Sequence, residues 1–115
     1  LRAFIDAHLA LGDDAEPRAA AAWVVVGAEA LRQPAVSEAY QRVVAARLET
    51  LEGLVSEVLR ARAGHARGAR EAAAGIMAAI EGAYQLAAAA PSAMPRGRAA
   101  RVVERMALGL LDGES

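Results

Sequence analysis

Cysteine and lysine are both absent from the 115 residues of this chain. Without cysteine, the chain can form no disulfide scaffold, no catalytic thiol and no zinc site built on thiolate ligands. All thirteen basic residues are arginine, and fourteen acidic residues leave a formal charge of −1. Such a balance lacks the positive patch of a nucleic-acid-binding surface. If DNA is involved, we therefore expect another segment to contact it.

Aromatic residues make up only 3% of the chain, whereas hydrophobic residues make up 56%, and half of these are alanine. Because alanine favours helix and disfavours strand, the composition predicts an all-α fold. The longest uninterrupted apolar run, residues 19–28, is well short of the roughly 20 residues that span a membrane. No secretory leader opens the sequence. We expect a cytoplasmic protein without a membrane partner.

Glycine and proline divide the chain into the tail of one helix and four further helices. Gly12 ends the first, Pro34 opens the third and Pro91 follows the fourth. The predicted helices span residues 1–11, 14–32, 34–63, 67–90 and 96–112. With short connections and no strand pattern, the sequence predicts a single domain over residues 1–115, an antiparallel bundle of four helices plus the tail of a connecting helix.

Hydrophobic periodicity assigns each helix a place in this bundle. Residues 19–28 have no polar face, so we expect the second helix at the centre, enclosed by the others. The third helix carries the clearest amphipathic stripe, from Val36 to Leu59. In the fifth helix, the predicted apolar stripe consists of Ala99, Val102, Val103, Met106 and Leu110.

Few side chains could support catalysis or bind a metal ion. His8 and His65 lack the paired spacing of metal ligands. None of the serines stands in a nucleophile elbow, and no glycine-rich loop follows a strand. The sequence therefore predicts no enzyme, no cofactor and no metal site.

Arg47 interrupts the apolar stripe of the third helix. A buried guanidinium needs an anionic partner, because removing an unpaired charge from water is very unfavourable. Glu29 and Glu81 interrupt other apolar stretches, so Arg47 either pairs with one of them or extends its head group to the rim. Alternatively, it is a polar anchor inside a small-molecule cavity. The sequence leaves these alternatives open.

A strip of mostly small residues runs along the fourth helix. Each glycine inside a helix costs about 1 kcal/mol relative to alanine, and a closely packed neighbouring helix would offset that cost. The neighbour is either within this chain or in a second copy, and we expect a homodimer formed by the last two helices of each subunit. The predicted interface consists of Gly75, Ala79, Gly82, Leu86, Val102, Val103, Met106 and Leu110.

Several segments together resemble the regulatory domain of TetR-family transcriptional repressors. Residues 22–31, followed by Gln33-Pro34 and the helix over 40–59, are similar to the branch typified by the choline-responsive repressor of the betaine pathway. Residues 72–84 resemble the family's penultimate helix, including an acid–glycine pair, and residues 95–111 resemble its last helix.

This resemblance implies a homodimer and an effector pocket between the connecting helix and the bundle. It also implies an N-terminal helix-turn-helix domain that is missing from this chain and that alone would contact operator DNA, with Leu1 lying in the connecting helix. Effector binding would change the separation of the two DNA-binding heads and lower operator affinity. The candidate pocket residues are Phe4, Trp23, Val26, Glu29, Tyr40, Arg47, Met77, Glu81 and Tyr84.

The identity of the effector does not follow from the resemblance. A site for a quaternary ammonium ligand usually contains several aromatic side chains, which are sparse here. We therefore do not predict choline as the effector. A small, largely apolar and anionic effector that contacts Arg47 is an alternative. The second hypothesis for the whole chain is a ligand-free helical dimerisation or scaffold module. An enclosed void of several hundred Å³ touching Trp23, Tyr40 or Arg47 would support an effector site, whereas a core packed solid there would favour the scaffold.

Overall fold

A computed structural model describes residues 1–9, 15–95 and 97–113. The described residues form five helices: α1 (Arg2–Leu9), α2 (Ala15–Ala30), α3 (Pro34–Ala63), α4 (Ala69–Ala89) and α5 (Ala99–Gly113). No strand occurs in these ranges, so the predicted all-α class is confirmed. The predicted stop at Gly12 lies outside the described residues.

Proline and glycine set the ends of α3, as the sequence predicts. Pro34 is the first residue of α3, and Gln33 before it is extended, with φ −120° and ψ 114°. At the other end, Gly64 adopts the left-handed conformation with φ 77°, and its N–H donates to the carbonyl of Arg60 at 3.0 Å. Gly68, with φ 79°, is also left-handed and directly precedes α4. These two glycines reverse the chain between the two longest helices.

The central helix of the fold is α4, which packs against all four other helices. Large aliphatic side chains from α1, α3 and α5 complete the core around it, among them Ile5, Leu51, Leu59 and Leu111. The buried residues of α4 are Ala69, Ala72, Ala73, Ile76, Met77, Ile80 and Ala83.

The length and apolar character of α4 would also suit a membrane-spanning helix. Among the described helices, α4 alone is long and apolar enough to cross a membrane by length and composition. The sequence shows no uninterrupted apolar run of this length, because Glu81 divides the segment. Since α4 packs against the other four helices, contacts within the chain account for its buried apolar residues, which make up about a third of the apolar window.

The expectation that α2 lies at the centre is wrong. Ala20 is buried, but Val25 is 60% exposed and Val26 is 40% exposed. Just beyond the helix, Leu31 is 89% exposed. A chain of this size buries only about two-thirds of its surface and cannot cover every side of a helix that carries valines all round. The smaller side chains of α4 let four helices approach closely, so α4 takes the central position instead.

The face that α5 turns toward the core also differs from the predicted stripe. Ala100, Val103, Ala107 and Leu111 are buried, whereas the predicted Val102, Met106 and Leu110 are 37%, 53% and 41% exposed. The alanines let α5 approach α4 closely, which leaves the bulkier residues on the outer side. The described helices together form a flat body with extents of 41 × 35 × 18 Å.

Candidate functional site

A cavity of about 650 Å³, partly open to solvent, lies among the helices, and all five helices contribute to its wall. This volume is in the range of about 300–1,000 Å³ that small-molecule sites occupy. The apolar part of the wall is built from small side chains, with alanine at seven positions: Ala7, Ala19, Ala20, Ala22, Ala83, Ala87 and Ala99. Leu9 and Val26 add larger apolar groups. Polar groups come from His8, Trp23, Arg47 and Tyr84.

Trp23 is the centre of a group of side chains that joins α2, α3 and α4 at the cavity. Its indole N–H donates to both carboxylate oxygens of Glu81, at 3.1 and 2.8 Å. Its ring stacks on Tyr40, with centroids 4.7 Å apart and planes inclined by 22°. The guanidinium carbon of Arg47 lies 4.6 Å from the centre of the Trp23 ring, within the range of a cation–π contact. We call these four residues the tryptophan cluster.

Gly27 gives Tyr40 the room to reach Trp23. It follows Trp23 by one helical turn on α2, and a Cβ atom at this position would lie 3.3 Å from both Cε1 and the hydroxyl of Tyr40. A larger residue would force the phenol ring to shift. The glycine of the Trp-Val-Val-Val-Gly segment therefore permits the stacking that orients the indole.

The structure answers the question of the partner of Arg47. Glu29 accepts hydrogen bonds from Arg32 at 3.2 Å and from Gln33 at 2.6 Å, at the end of α2. Glu81 is engaged by Trp23. Within the described part of the chain, Arg47 has neither an ion pair nor a hydrogen bond, and its contact is with the face of Trp23. Half-buried on the cavity wall, this guanidinium retains donors for a ligand.

Two phenols share the electrostatic environment of Arg47 and Glu81. Burial raises the pKa of Tyr40 above its ordinary value of 10.0; the Glu81 carboxylate raises it further and Arg47 lowers it. Burial also raises the pKa of Tyr84, where Arg47 opposes the rise more strongly than Glu81 adds to it. Both hydroxyls therefore keep their protons at neutral pH. Tyr84, on the cavity wall, can donate a hydrogen bond to a ligand.

The structure brings together six of the nine predicted pocket residues. Trp23, Val26, Arg47 and Tyr84 are on the cavity wall. Tyr40 and Glu81 support that wall through their contacts with Trp23.

Three predicted pocket residues lie elsewhere. Met77 is 7% exposed and packs in the aliphatic core. Glu29 lies at the exposed end of α2. Phe4 stacks on His8, with centroids 4.4 Å apart, and packs against the core. It therefore contacts a residue of the cavity wall without being part of that wall.

Sequence reasoning missed His8 and the alanines of the wall. The Nδ1 atom of His8 lies 2.8 Å from the carbonyl oxygen of Phe4, which fixes the ring at the cavity. As one of two widely separated histidines, His8 offered no metal-ligand spacing. Alanine contributes to cores and cavities alike, so it gives no signal either. Among the described residues, no group of three or more acidic or histidine side chains could hold a metal ion.

The predicted interface residues divide into inward and outward sets. A Cβ atom at Gly75 would lie 3.1 Å from Cδ1 of Leu110, so this glycine is covered within the chain. Ala79 packs against the core, and Val103 is 2% exposed, which leaves it no surface for a second copy.

The outward set consists of exposed apolar positions and one glycine on α4 and α5. Around a Cβ atom at Gly82 there is no other atom within 4 Å. Leu86 is 37% exposed, and Val102, Met106 and Leu110 are also exposed. We call Gly82, Leu86, Val102, Met106 and Leu110 the outer surface.

The family of BetI-type transcriptional repressor C-terminal domains matches residues 1–112 of the chain. The chain therefore belongs to this TetR-type family. The resemblance drawn from the sequence is confirmed. No curated protein and no solved structure matches the chain. Regulators of the TetR family act as homodimers that bind small-molecule effectors and DNA, and the family is not typically enzymatic.

In this BetI-type domain, Trp23 is contacted by other side chains of the chain. Tyr40 and Arg47 both contact the Trp23 ring, and Glu81 binds its N–H. The cavity next to it carries an arginine, and no carboxylate is among the residues of its wall in the described chain.

Proposed function

We propose that the chain is the effector-binding and homodimerisation domain of a cytoplasmic TetR-family repressor. A small molecule in the cavity changes the DNA affinity of a helix-turn-helix domain carried by a segment outside these 115 residues. The observation that carries the proposal is the cavity of about 650 Å³ beside Trp23 and Arg47. A ligand-free scaffold would fill this volume with side chains.

The position of α1 indicates how a bound ligand acts. In the proposal, α2 to α5 form the antiparallel bundle, and α1 is the tail of the helix that leads to the DNA-binding domain. Ala7, His8 and Leu9 of α1 line the cavity, while Ile5 anchors α1 in the core. A ligand that fits the cavity better when α1 is displaced favours the displaced conformation. In the proposal, the displaced conformation binds the operator less tightly. Because the ligand prefers that conformation, ligand binding lowers the affinity for the operator.

The outer surface of α4 and α5 is the proposed dimer interface. Its residues are apolar and exposed in the single chain, and a second copy related by a two-fold axis would cover them with the same residues. Val103, Gly75 and Ala79 are left out of this interface, because contacts within the chain account for them.

Sedimentation velocity and DNA titration of the 115-residue chain test this proposal. We expect a dimer at high micromolar concentration and negligible binding to duplex DNA. A monomer at that concentration would count against the dimerisation role. Tight, salt-sensitive binding to duplex DNA would overturn the division of roles between this domain and a separate DNA-binding domain.

A further inference from the structure

We propose that the ligand of the cavity is an amphiphilic monocarboxylate, with its carboxylate on Arg47 and its apolar tail against the alanine wall. This inference rests on the proposed function, because it names the class of effector for the same cavity. It is carried by the guanidinium donors on the wall, the fixed position of the guanidinium and the apolar lining.

The hydrogen-bond donors of Arg47 on the wall are suited to an anion. Arg47 is half-buried and has no ion pair in the described chain, because Glu81 binds Trp23 and Glu29 binds Arg32 and Gln33. An arginine in this position gains most from a carboxylate, which accepts two parallel N–H donors. Among the described residues, Arg47 is the one arginine or carboxylate side chain on the wall, so a ligand with a single carboxylate matches its donors.

The guanidinium is held in place before any ligand arrives. It lies over the Trp23 ring, and that ring is fixed by the hydrogen bonds to Glu81 and by the stacking on Tyr40. A positioned donor group loses little conformational freedom when a ligand binds. Tyr84, whose hydroxyl keeps its proton, supplies a further donor on the same wall.

The same arrangement disfavours a cationic ligand. A quaternary ammonium group binds over open aromatic faces or beside carboxylates. Here Trp23 is already contacted by Tyr40 and Arg47, and the carboxylate of Glu81 is engaged with the indole N–H. The positive charge of Arg47 would also repel a ligand cation.

The remainder of the wall fits an aliphatic tail. Ala19, Ala20 and Ala22 of α2 face the cavity together with Ala83 and Ala87 of α4. Such side chains offer a smooth apolar surface without hydrogen-bonding groups. Each methylene that a ligand buries there should tighten binding by about fourfold. Affinity is therefore expected to rise along the series butyrate, hexanoate, octanoate.

Three probes with the same tail test the charge preference in the 115-residue chain: octanoate, octan-1-ol and octyltrimethylammonium, all below their micellar concentrations. Trp23 is the only tryptophan, so its fluorescence reports on the cavity wall, and calorimetry gives the dissociation constants. Octanoate is expected to bind about 10- to 100-fold more tightly than octan-1-ol, as a charge-assisted hydrogen-bonded pair allows. Octyltrimethylammonium is expected to bind most weakly.

Variants of two arginines on α3 assign the preference to one residue. Arg47→Gln should weaken octanoate binding by about 10- to 100-fold and leave octan-1-ol unchanged within about twofold. Arg47→Lys keeps the charge but loses the planar guanidinium, so its affinity for octanoate should lie between those of the unaltered chain and Arg47→Gln. Arg42→Gln removes the same charge from an exposed position on α3 and should not change the affinity for either ligand.

Equal or tighter binding of octan-1-ol or the cation would overturn the ligand class but leave the cavity as an effector site. The ligand class is equally overturned if Arg47→Gln weakens all three probes alike. Failure of all three probes to bind would also overturn the class, and the sedimentation experiment then decides the dimerisation role separately. If Arg47→Gln does not fold by circular dichroism, the comparison of probes on the unaltered chain still decides.

Discussion

The two halves of α3 carry the same hydrophobic stripe but have different neighbours. In the C-terminal half, Leu51, Val55 and Leu59 are fully buried in an aliphatic core. In the N-terminal half, Tyr40 and Val44 are half-buried and Val43 is 39% exposed. The difference originates in α4, whose Ile76 and Ile80 belong to the same core as the first group. Farther along α4, Glu81 is part of the tryptophan cluster and Tyr84 lies on the cavity wall. One half of the α3–α4 pair provides stability, and the other lines the cavity.

Truncation in the two halves of α3 should give the largest contrast. Leu59→Ala removes a fully buried side chain and should lower the free energy of unfolding by about 2–5 kcal/mol. Val43→Ala, in the open half, should lower it by less than about 1 kcal/mol, because its side chain already contacts water. Urea unfolding followed by circular dichroism measures both. Equal losses would mean that the open half is as tightly packed as the core half.

Gly75 and Gly82 extend the comparison to the outer side of α4. Gly75 is covered by Leu110, whereas Gly82 faces open space. Gly82→Leu should therefore leave the helix content of a single chain intact but weaken dimerisation at least tenfold, or about 1.4 kcal/mol, by overpacking the interface. Sedimentation equilibrium gives the dimer constant.

Gly53→Leu is the matched control for Gly82→Leu. Gly53 is an exposed helical glycine that also has no other atom within 4 Å of an added Cβ. This variant should not change the dimer constant. If Gly82→Leu dimerises as tightly as the unaltered chain, the outer surface is not the interface.

The tryptophan cluster should contribute less to stability than the core does. Glu81→Ala leaves the indole N–H of Trp23 without its acceptor, and the free energy of unfolding is expected to fall by about 1–2 kcal/mol. The fluorescence of Trp23 should change as the ring loses its orientation. Glu29→Ala, which breaks exposed contacts at the end of α2, should cost less than about 0.5 kcal/mol. A Glu81→Ala variant as stable as Glu29→Ala would show that the hydrogen bond does not hold the open half together.

Alkaline pH should produce the smallest effect. Burial raises the pKa of Tyr40 and of Tyr84 in the folded chain. As the pH rises through 10.0, the unfolded chain therefore loses these protons first, and stability declines until the folded-state pKa is passed. Since the chain has no cysteine or lysine, tyrosines are the side chains that titrate there.

Urea unfolding at about pH 9 and about pH 10.5 measures this decline. Tyr40→Phe should reduce the difference between the two pH values, because one of the two perturbed phenols is gone. A stability that rises over this interval would contradict the raised pKa values.

Local sequence features predicted the elements of this fold better than their arrangement. Pro34 and Gly64 define α3 through backbone geometry, which neighbouring residues determine. The core face of α5 was missed because alanines and larger apolar residues alternate around that helix, so periodicity alone does not choose between Ala107 and Met106. The predicted position of α2 was wrong for a related reason, because a helix that is apolar on every side does not specify which side is covered.

The candidate site was predicted in its residues but not in its contacts. Trp23, Arg47 and Glu81 stood out as a large aromatic and two charges within apolar stretches. Which of them pair depends on the approach of α2 to α4 across 58 residues of sequence. Glu81 binds the indole rather than Arg47, and no local pattern encodes that choice.

The thickness of the molecule has a thermodynamic consequence. At 18 Å, the body is about two helix diameters deep, so every helix has one side facing outward. If a second copy covers the broad face of α4 and α5, association supplies part of the free energy that keeps each subunit folded. The melting temperature is then a function of protein concentration rather than a constant of the sequence. A low concentration of the protein in the cell would therefore lower the stability of each subunit, as a mild denaturant does.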